Sequence, residues 1–444
     1  MKKYLLTPLA AALTLTLTAC GGGSSGDDKS TPNDNNNSVT PAPTPELQSI
    51  SLYAYSYQCN EIVPHQAEVV FHDDQGHPLG NSKTNAQGEF SGELPEGTEH
   101  VSVIGKSNDR EDGVYTQIHS ELDITHRTNL GGFFFTENSG SCGCEQYTLD
   151  TTDFTYTQND YQLYDGSLPL YDDQVEVCPF EDKVYLRVVS NNQNEAKAAV
   201  LDLTEEIKSS KTIKLSDAQF QHQGVLVENK QSPNSDFLST RAYDKELHKY
   251  QFVGFTSSWD NNALFVFPSV FEDNFYTQSG SDTMSPNGLE ISFSTHARSK
   301  VNAEGEYELT ELPQVSANLG ADLLNFTNSQ DLSYDFSAND ERFARAQWEY
   351  SFLVDDTAET RFDWRIEGSI SGQIPDLSFG DVFQEPMDPI TLESLSIFLY
   401  GYAGNPTDHK SFSELLDKHN QIKGRLAKPE FSNYVYTRVH ANFD

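Results

Sequence analysis

Residues 346–366 read AQWEYSFLVDDTAETRFDWRI. Ala346, Trp348, Tyr350, Phe352 and Val354 share one face of an extended chain, and Phe362, Trp364 and Ile366 share one face after the acidic turn. Strict period-two alternation of this kind belongs to a half-buried strand, because successive side chains of a strand point to opposite sides. The pattern recurs outward in both directions. Ile50, Leu52 and Ala54 alternate with Tyr53, Tyr55 and Tyr57; Val184, Leu186 and Val188 with Tyr185 and Arg187; Leu289, Ile291 and Phe293 with Glu290 and Ser292. Residues 435–443 alternate too. Turn clusters separate these runs, such as Asp73-Asp74-Gln75-Gly76, Asn191-Asn192 and Asp260-Asn261-Asn262. Helical periodicity is scarce; Ser411 and Glu414 have capping-box spacing at the head of a short helix expected over 411–422. The pattern predicts an all-β protein of tandem, Ig-like β-sandwich domains.

The chain has 444 residues, with 67 Asp and Glu against 29 Lys and Arg and a formal charge of -38. An aromatic content of 11 % argues against global disorder, which needs few aromatics. The acidity argues against nucleic acid as a partner, since few cations are present to displace counterions from phosphates. It also disfavours electrostatic attachment to an anionic lipid surface.

Lys2 and Lys3 precede an apolar stretch, Leu5 to Ala19, that ends in Leu17-Thr18-Ala19-Cys20. A basic start, a short apolar run and small residues before a cut describe an export signal. With Cys20 directly after Leu-Thr-Ala, it resembles a bacterial lipoprotein signal. The resemblance implies cleavage before Cys20 and fatty acylation (thioether lipid and palmitate) of that residue. Membrane attachment would then run through the N-terminal lipid anchor, several acyl chains holding where one binds marginally. Gly21, rather than Asp, after the lipidated residue resembles the pattern sorted to the outer membrane. The rival readings are an ordinary secretory signal with a chance Cys, or a membrane helix. Residues 21–46 hold almost nothing to bury and end Pro-Ala-Pro-Thr-Pro, so they read as a disordered tether reaching roughly 25 to 30 Å.

Four further cysteines, Cys59, Cys142, Cys144 and Cys178, make an even set, which in an exported chain reads as disulfides. Bridging Cys142 to Cys144 across Gly143 would need a strained small ring. Cys59 is therefore expected to pair with one of them and Cys178 with the other. A metal site using His126 is the weaker alternative, because no second Cys pair follows.

Residues 67–80, AEVVFHDDQGHPLG, read as a strand, a turn at Gly76 and a Pro-Leu entry to the next strand. Thr84-Asn-Ala-Gln-Gly-Glu-Phe90, Leu94-Pro-Glu-Gly97 and the strand His100-Val-Ser-Val-Ile-Gly105 follow. Gly88 would supply the turn conformation before Phe90 enters the core, and Gly97 would close the last hairpin. This order, over about residues 47–130, resembles the carboxypeptidase-regulatory-like, or transthyretin-like, β-sandwich. The resemblance implies a spacer or binding adaptor with a carbohydrate-binding-like fold. Asn302-Ala-Glu-Gly-Glu-Tyr307 with Leu312-Pro313 echoes Asn85 to Phe90 with Leu94-Pro95, so a second sandwich of the kind is considered. Boundaries are expected near 135 and near 280, giving segments 47–135, 136–280 and 281–444.

No Gly-x-Ser-x-Gly elbow, His-Glu-x-x-His, P-loop, dinucleotide fingerprint or calcium loop occurs. His72 and His77 flank a hairpin turn expected to be solvated. Asp172-Asp173 and Asp355-Asp356 are paired acids that, among 67, belong on solvated loops, and strand neighbours face opposite ways. Tyr53, Tyr55 and Tyr57 form an amphipathic stripe suited to sugar rings or a partner, or else packed under the sandwich. Trp259 beside Asp260 is the other candidate binding residue, or else a half-packed hairpin tip. No cofactor, metal or catalytic residue is assigned. The expected function is a lipid-anchored, non-catalytic envelope component binding glycan or protein; an envelope hydrolase without a local motif is the alternative.

Overall fold

The computed structural model describes residues 48–443, apart from 60, 110–112, 138–141, 157–159, 167, 246–248, 261, 286–289, 315–318, 320–321, 324–325, 327–331, 355–360, 385–389 and 420–427. Cys20, the signal and the tether lie outside the described residues. The first segment supplies β1 (Ser49–Gln58), β2 (Glu61–Pro64), β3 (Glu68–His72), β4 (Pro78–Lys83), β5 (Glu89–Glu93), β6 (His100–Asp109), β7 (Gly113–Glu121) and β8 (Asn129–Phe134). Next come β9 (Glu145–Asp153), β10 (Tyr161–Asp165), β11 (Leu168–Pro169), β12 (Gln174–Val177), β13 (Lys183–Ser190), β14 (Ala196–Asp202), α1 (Glu205–Ser210), β15 (Thr212–Ser216) and β16 (His222–Gln223). They are followed by β17 (Val225–Val227), β18 (Phe237–Asp244), β19 (Lys249–Ser257), β20 (Leu264–Val266) and β21 (Asp273–Met284). The last segment adds β22 (Ile291–Val301), β23 (Ser333–Asp335), β24 (Arg345–Leu353), β25 (Arg361–Ser369), β26 (Ser371–Gln373), β27 (Thr391–Tyr402), α2 (His409–His419) and β28 (Tyr434–Asn442). The protein is all-β. Among the described residues no helix is long and apolar enough to cross a membrane.

Twelve strands form one sheet in the order β19-β18-β21-β22-β28-β27-β24-β25-β7-β6-β3-β4. It draws strands from all three expected segments, so these do not close as independent sandwiches in tandem. The join is parallel: β25 lies beside β7, with Trp364 opposite Ile118 and Glu367 opposite Glu121. The boundary expected at 280 falls inside the hairpin β21–β22, paired from Asn274↔Val301 to Met284↔Ile291. The Gly- and Ser-rich composition there marks the end of a long hairpin, not a linker. Upstream, a separate pair of sheets, β12-β9-β15 and β11-β10-β13-β14-β16, encloses Leu149, Leu163, Leu186 and Ile213.

At the N-terminal end β1, β2, β5 and β8 form a second layer over the large sheet, burying Leu52, Val69, Val103 and Phe133. The alternating runs 346–354 and 362–366 bury their aromatic face as read, with Trp348, Tyr350, Phe352, Trp364 and Ile366 all at most 1 % exposed. Phe326, Phe336 and Leu312, from the connection between β22 and β24, cover that face. His72 differs from expectation: it is buried inside, not on a solvated turn, and its Nε2 lies 2.9 Å from Ser102 Oγ. Ser102 contacts Ser120 at 2.7 Å, and Trp364 Nε1 donates to Ser120 at 2.9 Å, so a polar chain crosses four strands within the apolar face. His77 remains at the turn beside Asp73.

Gly88 has φ +73°, and a Cβ there would lie 2.3 Å from the Ala54 carbonyl oxygen, so glycine is required. Asn85 Oδ1 accepts from the backbone of Gln87 and Glu89, and Asn302 Oδ1 accepts likewise from Glu304 and Glu306. The echo is thus a shared turn. Residues 306–314 form no strand after it, whereas β5 follows Gly88. Helix α2 begins two residues earlier than its expected start, because Asp408, not Ser411, caps it: Asp408 Oδ1 accepts from the Ser411 amide at 3.0 Å. Residues 420–422, its expected end, lie outside the described residues.

Candidate functional site

Alternation that buries Trp348 and Trp364 on one side of the large sheet places polar residues on the other. Register pairs Glu121 with Glu367 and His119 with Arg365 across β7 and β25, then Gln347 with Glu367 and Glu349 with Arg365 across β24 and β25. It continues with Phe398 opposite Arg438 across β27 and β28, and His296 opposite Tyr436 across β22 and β28. The result is one polar, aromatic face running across the sheet.

One end of this face is closed. Arg345 is fully buried and its Nη2 lies 2.7 Å from Glu121 Oε2 and 3.9 Å from Glu367 Oε1. Arg127 Nη1 reaches Glu121 at 3.3 Å and its Nε pairs with Asp417 of α2, which also accepts from the Thr128 amide at 2.6 Å. Tyr400 donates to Glu367. Glu121 and Glu367 face the same guanidinium, so each carboxyl feels the charge of the other. Burial raises Glu121 against the pull of Arg345, with the charge of Glu367 adding to the rise. Burial also pushes Glu367 upward, but Arg345, the Tyr400 hydroxyl and Glu121 outweigh it and hold that carboxyl well below its ordinary value. Taking away one member of a buried ion network leaves an uncompensated charge. Arg345→Leu is therefore expected to cost roughly 3–5 kcal/mol in urea unfolding; an unchanged midpoint would show the network to be energetically idle.

Beside this cluster, at the seam with β1 and β8, lies a cavity of about 180 Å³ lined by Tyr55, Phe134, His119, Arg365, Glu367 and Tyr400 among others. His119 Nε2 is buried without a hydrogen-bond partner among the described residues. Burial, then the adjacent Arg365, lower the His119 pKa to about 3, against the Phe134 carbonyl and Glu367. Tyr53, Tyr55 and Tyr57 form a ladder of which Tyr55 lines the cavity, with ring centroids 5.6 Å apart at each step and Phe134 at 5.7 Å from Tyr55. Gly132 makes this possible, since a Cβ there would lie 2.3 Å from the Tyr53 ring.

The other end of the face is open. The Arg438 guanidinium lies 5.2 Å over Phe398 and donates to Ser396 Oγ at 2.9 Å. His296 stacks on Tyr436 at 5.2 Å. Arg241 lies 3.9 Å over Phe252. On the same hairpin Phe237 stacks on Phe255 at 5.5 Å and meets Trp259 edge-on at 5.9 Å, and Trp259 is 70 % exposed. A larger cavity of about 730 Å³, lined by Tyr185, Tyr243 and Glu272 among others, opens between β13–β14 and the β18–β19 hairpin.

The sequence candidates therefore fall in separate places: the tyrosine stripe at the closed end, Trp259 at the open edge. Asp260 serves its own turn, accepting from Ser257 Oγ at 2.5 Å, and Asn261 lies outside the described residues. Cys59 pairs with Cys142, and Cys144 with Cys178. Asp172 and Asp173 are exposed, while Asp355 and Asp356 lie outside the described residues. Among the described residues no three His, Cys, Asp or Glu side chains are grouped to hold a metal ion. Sequence reading missed Glu121, Arg345, Glu367, Phe398 and Arg438, whose partners are distant in the chain. Comparison with protein-family models, curated proteins and solved structures finds no match.

Proposed function

We propose that the chain is a non-catalytic binding protein of the bacterial cell envelope, tethered through lipidated Cys20 and engaging a glycan with exposed aromatic rings. The observation that carries this reading is the ring cluster Phe237, Phe255 and Trp259, three large aromatics left at least 38 % exposed at the sheet edge. Flat exposed rings stack on the apolar faces of sugars while offering little to a hydrophobic core. Two disulfides support an oxidising, extracytoplasmic location. A hydrolase reading has less support. Paired glycosidase carboxyls stand around a bond with room for a sugar between them, whereas Glu121 and Glu367 are both buried against Arg345, and Arg127 also holds Glu121.

Trp348 and Trp364 are at most 1 % exposed, so Trp259 is the one tryptophan of three within reach of a quencher. Iodide is expected to quench its emission and no other, and a bound glycan to shield it. Trp259→Ala should weaken glycan binding about tenfold, the worth of one aromatic contact. A glycan array on the purified chain identifies the ligand; an empty array, or binding indifferent to Trp259→Ala, would remove the proposal. For the anchor, radiolabelled palmitate should enter the wild-type chain and not Cys20→Ser.

A further inference from the structure

We propose that the open strip from Phe252 to Arg438 is a binding site for a polyanionic glycan, a sugar chain bearing carboxylate or sulfate groups. The proposal rests on the glycan-binding reading above and names the ligand class. In a chain with 67 acids against 29 bases, most cations find a carboxylate. Arg127, Arg342, Arg345, Arg361 and Arg365 all do. Among the described residues Arg187, Arg241, Arg298 and Arg438 are in no ion pair; Arg187 and Arg298 give their N–H groups to backbone carbonyls instead, which leaves Arg241 and Arg438. Arg241 lies over the rings of Phe252 and Tyr250, and its Nε, a buried atom, has no hydrogen-bond partner. Arg438 lies over Phe398 and meets only Ser396 Oγ and His440 Nδ1.

A guanidinium held against a ring keeps its charge with no carboxylate to neutralise it, and an N–H donor left at the ring's edge can turn to a carboxylate or sulfate. His296 and Tyr436 fill the interval between the two arginines, stacked on each other. The strip thus alternates rings with cationic forks across six adjacent strands, β19, β18, β21, β22, β28 and β27. Five strand spacings give a width of roughly 24 Å, more than one sugar ring and suited to a chain of several. The ligand brings the negative charge that the arginines lack. An acidic peptide offers few flat faces to the rings. The field of a chain at -38 opposes any polyanion, so local contacts with the strip must hold the charged groups, and a nucleic acid, with a phosphate on every nucleotide, meets more of that opposition than a sparsely charged sugar chain.

The test titrates the purified chain at 0.15 M salt with oligogalacturonate and its fully methyl-esterified form, and with a sulfated oligosaccharide and its desulfated form. Polyglutamate and oligothymidylate are the comparison arms. At least one charged sugar is expected to bind tenfold or more tighter than its neutral counterpart, and which pair does so separates carboxylate from sulfate. Arg241→Gln with Arg438→Gln should erase that preference, Arg241→Lys with Arg438→Lys should keep part of it, and heat-unfolding midpoints should stay put. Trp259→Ala should weaken charged and neutral forms alike. Equal binding of charged and neutral forms, or a preference that survives the double Gln change, would overturn the polyanion site and leave the glycan reading standing. Tighter binding of polyglutamate or oligothymidylate, or no sugar bound at all, would overturn both.

Discussion

Moving the chain from pH 7 to pH 5 is expected to lower its unfolding free energy by roughly 6 kcal/mol. Three deeply buried imidazoles carry most of the effect, and burial lowers His65, His100, His409 and His440 in the same direction. Burial lowers His72 to about 4, with the Gly76 carbonyl opposing and His100 adding to the fall. Burial, then Arg365, lower His119 to about 3, and burial, then Arg241 and Arg298, lower His296 to about 3. The folded state therefore prefers each ring neutral, while the unfolded chain takes up protons from pH 6.5 downward. Stability from these groups is complete above 6.5 and drains away as pH falls toward the folded values. At pH 5 each contributes a loss of about 2 kcal/mol. The carboxyl pair acts outside this window or against the trend. Glu367 is held low, so its share is lost only below its unfolded value near 4.5. Glu121 is held high, so its share is present in acid and lost as pH rises. Guanidinium unfolding at the two pH values measures the difference, and His119→Gln should remove about 2 kcal/mol of it. A stability that stays level between pH 7 and 5 would mean that these rings already protonate in place.

What the sequence disclosed and what it withheld divide by range. The burial of Trp348, Tyr350 and Trp364 was legible because alternation is a local property, written within nine residues. The same holds for the Gly88 turn, where one amide oxygen of Asn85 organises a loop two to four residues long. The order of the large sheet was not legible. Trp364 meets Ser120 across 244 residues through a parallel pairing, and nothing local in either strand names the other. Glu121 is one acid among 67 until Arg345, 224 residues later, lies against it. Residues 279–288 misled because Gly, Ser and Pro mark hairpin ends as readily as linkers. At α2 the capping box at Ser411 was outcompeted by a carboxylate three residues upstream, a better acceptor at a helix start than a hydroxyl. The candidate strip was half visible: the rings could be read singly, but Phe398 and Arg438 become a unit only when β27 and β28 align.

Reducing both disulfides is expected to remove roughly 8 kcal/mol from the stability of the chain. Cys59–Cys142 spans 83 residues and Cys144–Cys178 spans 34. Loop-closure entropy in the unfolded chain assigns the first about 4.5 kcal/mol and the second just under 4 kcal/mol. The two loops do not overlap in sequence, so the contributions should add. That sum is comparable to the whole stability of an ordinary domain. Geometry gives the bridges a second role. Cys142, Gly143 and Cys144 form a short hinge at which Gly143 adopts φ +69°. From it one bond reaches the turn between β1 and β2, the other the turn after β12. The layer of β1, β2, β5 and β8 and the separate middle sandwich are therefore stapled to the same point. Losing either bond should free one of them before the large sheet opens. Denaturant unfolding of Cys59→Ser with Cys142→Ser, and of Cys144→Ser with Cys178→Ser, resolves the two contributions. Limited proteolysis should then cut first within 48–135 for the former pair and within 145–223 for the latter. Losses below about 1 kcal/mol in both pairs would mean that core packing alone, without cross-links, holds these layers in place.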